Sequence, residues 1–120
     1  MYKFAFLLVT LAPLYAADPA VTQSQALLKA HKYDDAVALL DKAHTANPKS
    51  AELTKALADA HLAAADALMA DEALPPMRKY PNALREYRKV LALDKTNAKA
   101  KANVDQIEGI YKSMGRPIPQ

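Results

Sequence analysis

Two segments of the chain repeat the same spacing of small and bulky residues, and their first residues, Lys32 and Lys79, lie 47 positions apart. The first segment reads KYDDAVALLDKAHTANP and the second reads KYPNALREYRKVLALDKTN. In both, a small residue is followed four positions later by a bulky one and three positions after that by another small one. These residues are Ala36, Leu40 and Ala43 in the first segment and Ala83, Tyr87 and Val90 in the second. Because this spacing places all three on one helix face, the repetition predicts two helices that pack alike.

The composition predicts an all-α fold in one small domain. The chain has 120 residues, 52% of them apolar, with many alanines and only two glycines. Such a composition favours helices over strands. The absence of cysteine excludes disulfides, thiol catalysis and thiolate metal sites.

Capping and helix-breaking signals divide the chain into five predicted helices. Asp18 and Pro19 form a start signal, Pro48 follows a stop, and Gly115 ends the last helix. Between the third and fourth helices, the segment LPPMRKYP removes several amide donors. The predicted helices run from about Pro19 to His31, from Asp34 to Ala46, from Ala51 to Asp71, from near Pro81 to the segment DKTN, and from Ala98 to Met114.

The spacing shared by the two segments, with Pro48 five positions after Ala43, resembles the second helix of the tetratricopeptide repeat. The resemblance implies an α-solenoid of antiparallel helix hairpins, made of two such repeats and a C-terminal capping helix. The family repeat has about 34 residues, so the second repeat would carry about 13 extra residues. The implied boundaries are 18–50 for repeat one, 51–97 for repeat two with its insertion, 98–114 for the capping helix and 115–120 for the tail. A generic alanine-rich helical bundle is the alternative.

The first 17 residues have the layout of a cleavable signal peptide. Lys3 precedes an apolar run from Phe4 to Leu14, and the small residues Ala16 and Ala17 follow. The run has about 11 residues, whereas a membrane-spanning helix needs about 20. We therefore expect cleavage after Ala16 or Ala17 and a periplasmic or secreted protein, without a cysteine for lipid attachment. An uncleaved anchor or a buried first helix is the alternative.

The residues that carry chemistry in enzymes are not arranged for catalysis in this sequence. His31, His44 and His61 are 13 and 17 positions apart, so no two of them share the helix-face spacing of metal ligands. The few serines have no plausible base partner. We therefore expect a protein that is not an enzyme, with no cofactor and no bound metal.

The resemblance implies a binding function instead. In tetratricopeptide repeats the first helix of each hairpin lines a concave groove, which binds a peptide segment or a helix of another protein. We therefore expect a protein–protein interaction scaffold, with weak self-association as a further property. The matching positions are Val21, Gln25, Leu28, Lys29, Lys55, Asp59, Leu62, Ala63, Lys99, Asn103, Gln106 and Ile110.

The charge distribution leaves two other functions open. Residues 17–72 hold five Lys against nine Asp or Glu, a net of −4, whereas residues 73–120 hold ten Lys or Arg against four acids, a net of +6. A basic C-terminal half could bind a polyanion or a membrane surface, or the two halves of different copies could attract each other in a self-assembling structural protein. Export argues against nucleic acid. The densest basic patch comprises Arg78, Lys79, Arg85, Arg88 and Lys89.

Overall fold

The part of the chain that the structure describes is all-helical, as the composition predicts. The computed structural model describes residues 18–120, and the predicted signal peptide, residues 1–17, lies outside the described residues. No strand occurs between residues 18 and 120, and no helix there combines the length and apolar character that crossing a bilayer requires. The five helices are α1 (Pro19–Lys29), α2 (Tyr33–Ala46), α3 (Ala51–Ala70), α4 (Pro76–Leu93) and α5 (Ala98–Ser113).

Short polar side chains cap three of these helices at their N-termini. The Asp18 side chain accepts a hydrogen bond from the Ala20 amide at 2.9 Å, as the Asp18-Pro19 signal predicts. The Ser50 hydroxyl accepts one from the Leu53 amide at 3.2 Å at the start of α3. The Asn97 side chain does the same for α5. Each bond satisfies an amide that has no partner inside its helix, so the local sequence fixes where these helices begin.

The prediction that the fourth helix begins near Pro81 is wrong. Helix α4 begins at Pro76, and Pro75 is its N-cap residue. The amides of Arg78 and Lys79 both donate to the Pro75 carbonyl at 2.9 Å. Proline at the first helical position loses no intrahelical bond, because the amide there has no partner in any case. Pro81 lies inside the helix and removes only one hydrogen bond near its N-terminal end.

Helix α1 ends at Lys29, two residues before its predicted end at His31. His31 has a φ of 59°, which is left-handed backbone. Its amide donates to the Leu28 carbonyl at 3.0 Å, and the Lys32 amide donates to the Leu27 carbonyl at 2.9 Å. This pair of bonds is a Schellman motif, in which glycine is the usual residue at the left-handed position. Histidine there stops the helix and turns the chain into α2.

The core consists of two clusters that share helix α3. Each helix packs against the next one in the chain, and α1 also contacts α3. One cluster joins α1, α2 and the first half of α3 through Ala20, Leu40, Leu53, Leu57 and Ala60. The other joins α3, α4 and α5 through Ala58, Ala65, Ala83, Leu84, Tyr87, Val90, Ala100, Val104, Ile107 and Tyr111. Helix α3 therefore connects the N-terminal helix pair to the C-terminal part of the domain.

The repeated spacing of the two segments marks the buried faces of α2 and α4. Ala36 and Ala83 are both 0% exposed, and so are Leu40 and Val90. Tyr87, the counterpart of Leu40, is 1% exposed. Alanine at a fully buried position lets the backbones of neighbouring helices approach closely, so the small-bulky-small pattern predicts packing as well as helix formation.

Candidate functional site

A groove between α1 and α3 brings together part of the predicted binding surface. Its volume is about 250 Å³. Five of the predicted groove residues line it: Val21, Gln25, Leu28, Lys55 and Asp59. The remaining lining residues are Ser24, Glu52 and Ala56. We refer to this cavity, lined by these eight residues, as the α1–α3 groove.

The burial pattern of α1 explains why the predicted residues face this groove. Helix α1 buries Ala20 and Ser24, which are four positions apart and therefore lie on one face. The buried Ser24 hydroxyl donates to the Val21 carbonyl at 2.7 Å, so it needs no partner on α3. Small residues at both buried positions bring α1 close to α3. The adjacent strip of α1, with Val21, Gln25 and Leu28, then borders the space between the helices.

The groove presents charges of both signs beside an apolar surface. Lys55 Nζ and Asp59 Oδ2 form an exposed ion pair at 2.8 Å, and this hydrogen bond raises the pKa of Lys55. Such an exposed pair contributes little to stability, so both groups are available to a ligand. Glu52 Oε1 accepts a hydrogen bond from the Asp18 amide at 3.1 Å, which ties the first turn of α3 to the start of α1.

The other predicted groove residues lie outside this cavity. Lys29 is exposed in the last turn of α1, and Leu62 packs against the second core cluster. The four predicted residues of α5 are Lys99, Asn103, Gln106 and Ile110, of which Lys99 and Gln106 are exposed. The twelve predicted residues therefore do not line a single cavity.

Lys99 belongs to a polar network that links three helices. Its Nζ donates to Asp66 Oδ2 at 2.6 Å, and the Tyr87 hydroxyl donates to Asp66 Oδ1 at 2.6 Å. Burial, together with this hydrogen bond, raises the pKa of Tyr87 above its ordinary value. The network joins α3, α4 and α5 and gives Lys99 a structural role.

A larger cleft lies where the α1–α2 turn, the second half of α3 and α4 meet. Its volume is about 710 Å³. It is lined by His31, Lys32, Tyr33, Asp34, Asp35, Ala64, Ala67, Leu68, Asp71, Asn82, Arg85 and Glu86. Of these lining residues, the sequence predicted only Arg85 to be a site residue, as part of the basic patch. The cleft is lined by the α1–α2 turn, the second half of α3 and the middle of α4, and the extra residues of the second repeat were the only available sequence signal for it.

His61 and Glu86 form the most deeply buried ion pair of the described residues. His61 is 6% exposed, and its Nδ1 lies 2.6 Å from Glu86 Oε2. The hydrogen bond with His61 lowers the pKa of Glu86, although partial burial opposes this effect. Lys89 Nζ lies 3.5 Å from the other carboxylate oxygen. The pair couples α3 to α4. Across residues 18–120 no group of three or more metal-ligating side chains converges.

The basic patch is divided between residues that are paired with acidic side chains and residues that are not. Arg88 contacts Glu108 at 3.3 Å and the Pro119 carbonyl at 2.7 Å. Lys89 is paired with Glu86. Arg78 and Arg85 are exposed and Lys79 is half-buried, and none of the three forms an ion pair within the part of the chain that the structure describes. The patch therefore carries less free charge than its sequence suggests.

The fold and these contacts are the basis for assigning a function. No protein-family model, curated protein or solved structure matches the chain.

Proposed function

We propose that the protein is a non-catalytic interaction scaffold that binds a segment of another protein in the α1–α3 groove. The observation that carries the proposal is the convergence of five predicted residues from two helices on one cavity. Val21, Gln25 and Leu28 come from α1, whereas Lys55 and Asp59 come from α3, about thirty positions later.

The lining of the groove suits a peptide or helix with one apolar anchor residue. Val21, Leu28 and Ala56 provide apolar contact, while Gln25, Lys55 and Asp59 provide donors and acceptors. A volume of about 250 Å³ is below the range of about 300–1,000 Å³ typical of small-molecule sites. A cavity of this size accepts a side chain or two from a protein partner, with polar contacts at its rim.

The arrangement of the helices supports a tetratricopeptide-like α-solenoid as the scaffold. The pairs α1–α2 and α3–α4 are consecutive packed helices, and α5 packs on α4 as a closing helix. Contact between α1 and α3 is what a stack of two hairpins requires, since each first helix then touches the next. With residues 1–17 as a signal peptide, the scaffold would act in the periplasm or outside the cell.

Polyanion or membrane-surface binding is the second candidate, and it depends on the basic residues that form no ion pair in the described part of the chain. The exposed Arg78 and Arg85 and the half-buried Lys79 are the members of the basic patch that would meet an anionic surface. Arg88 and Lys89 are paired with Glu108 and Glu86, and these acids reduce the net positive charge of the patch, which favours the groove over this alternative.

An affinity capture experiment tests the groove. The full chain serves as bait for an envelope or secreted fraction, beside a Lys55→Glu variant and a Lys42→Glu control, and mass spectrometry identifies the retained proteins. Both variants carry the same change of charge. Lys42 is exposed on α2 and does not line the groove, so its variant controls for the effect of charge alone. We expect Lys55→Glu to lose a protein that the wild-type chain and Lys42→Glu retain. Equal retention by all three baits, or retention by none, would refute the proposal.

A further inference from the structure

The C-terminal tail, residues 115–120, turns back onto the helices that precede it. Gly115 has a φ of 64°, a conformation that favours glycine. Its amide donates to the Lys112 carbonyl at 3.1 Å, and the Arg116 amide donates to the Tyr111 carbonyl at 3.0 Å. This Schellman motif ends α5 and reverses the chain, so that the tail returns along the domain instead of leaving it.

Two contacts fix the tail against α4 and α5. Ile118 packs against the second core cluster, to which both helices contribute. Arg88 Nη1, on α4, donates to the Pro119 carbonyl at 2.7 Å. Ile118 and Pro119 are half-buried, whereas Gly115, Arg116 and Pro117 are exposed. The tail therefore binds through one apolar side chain and one backbone carbonyl.

The surface beneath the tail has the properties of a peptide receptor. Glu108, on α5, accepts a hydrogen bond from the other amino group of the Arg88 guanidinium, with Oε1 at 3.3 Å from Nη2. The hydrogen bond to Glu108 therefore holds the guanidinium in a fixed orientation, in which Nη1 can donate to a backbone carbonyl of the bound segment. A backbone carbonyl exists at every position of every protein, so Arg88 recognises an extended main chain and the apolar contact at Ile118 selects the sequence.

The two prolines of the tail show which sequences this surface accepts. Pro117 and Pro119 flank Ile118 and restrict the backbone to extended conformations, so little conformational entropy is lost on binding. Proline has no amide hydrogen, so these positions require no acceptor from α4 or α5. An extended segment with an apolar residue between prolines meets all of these conditions.

We propose that the α4–α5 face is a second peptide-binding surface, specific for extended proline-flanked apolar segments, and that the chain's own tail occupies it in cis. A segment of the same chemistry from a partner protein binds when it displaces the tail. Only the four residues 114–117 separate the end of α5 from the first tail contact at Ile118, and such a short tether gives an effective concentration in the millimolar range. The intact chain is therefore inhibited, and opening the tail raises its affinity for a partner segment.

A fluorescently labelled peptide with the sequence RPIPQ, identical to residues 116–120, tests the proposal by anisotropy titration. The receptor is the full chain with Ile118→Ser, which weakens the tail's apolar contact without shortening the chain. We expect this variant to bind the peptide at least tenfold more tightly than the wild-type chain does. Adding Arg88→Gln should reduce that binding at least tenfold, whereas Arg85→Gln, which changes an exposed arginine on the same helix, should leave it unchanged.

A chain ending at Gly115 provides an independent receptor, and a peptide with serine in place of isoleucine provides a ligand control. We expect the shortened chain to bind RPIPQ and to reject the serine peptide. Absence of saturable binding to either opened chain, with helix content retained by circular dichroism, would overturn the proposal. Equal binding to the opened and wild-type chains, or insensitivity to Arg88→Gln, would overturn it as well. Neither result bears on the α1–α3 groove, because the two surfaces have no residue in common.

Discussion

Enlarging either of the two fully buried alanines of the repeated segments should destabilise the domain. Ala36 and Ala83 are both 0% exposed, on α2 and α4. If there were room, the three additional carbons of leucine would contribute about 0.8 kcal/mol each by burial, roughly 2.4 kcal/mol in total. At a close helix contact there is no such room, so this gain is not realised, and the added carbons force neighbouring helices apart at a net cost of about 1–3 kcal/mol. We therefore expect Ala36→Leu and Ala83→Leu each to lower the free energy of unfolding by about 1–3 kcal/mol.

Urea unfolding followed by circular dichroism measures this change, and matched controls lie on the same two helices. Ala38 and Ala92 are exposed on α2 and α4, so Ala38→Leu and Ala92→Leu add the same carbons without crowding a helix contact. We expect the controls to change stability by less than about 0.5 kcal/mol. For a domain of about 100 residues, each kcal/mol lost at a buried site lowers the melting temperature by about 4–8 °C. Unchanged or raised stability of both buried variants would refute the close packing inferred from the repeated spacing.

Three further predictions concern hydrogen bonds and the backbone. Tyr87→Phe removes the hydroxyl that donates to Asp66 at 2.6 Å, and urea unfolding should show a loss of about 1.5–3 kcal/mol. The pKa of Glu86 is lowered from its ordinary value of 4.5, chiefly by the hydrogen bond with His61. Its contribution to stability is therefore present above about pH 4.5 and is lost as the pH falls further, so Glu86→Gln should flatten the acid limb of the stability curve measured by thermal unfolding. Gly115→Ala should lower the free energy of unfolding by about 1–2 kcal/mol through backbone strain alone, because no atom lies within 4 Å of the added Cβ. A neutral result would contradict the hydrogen bond in the first two cases and the left-handed backbone conformation of Gly115 in the third.

The sequence predicted the helices well because their signals are local. The cap at Asp18 and the burial of Ala36, Ala83 and Tyr87 depend on residues within one helix or next to it. Such signals can be read without knowing how the helices are arranged. The all-α prediction is confirmed for the same reason.

The errors concern features in which two signals compete or distant segments meet. Pro76 and Pro81 both suit the first turn of a helix, and the sequence alone did not show that the helix tolerates Pro81 in its interior. The left-handed conformation of His31 also went unpredicted, because glycine is the residue that usually signals it.

The cavities and the tail contacts were harder to predict because they depend on the relative positions of helices. The larger cleft is lined by the α1–α2 turn, α3 and α4, and no local pattern encodes how these elements meet. The contact between Arg88 and Pro119 joins residues 31 positions apart, and the basic character of Arg88 suggested a solvent-exposed patch instead. The part of the α1–α3 groove that was predicted came from matching positions in a known repeat and not from the residues' own chemistry.

The proposal that the α1–α3 groove binds a protein segment is tested most directly by site-specific photocrosslinking. A photoreactive phenylalanine derivative replaces Gln25, which lines the groove, or Gln23, which is also exposed on α1 but does not line it. Each chain is irradiated in an envelope or secreted fraction, and covalent adducts are separated and identified by mass spectrometry. We predict an adduct with a discrete protein from the Gln25 position and none from the Gln23 position. Equal labelling from both positions, or no adduct from Gln25, would contradict the proposal.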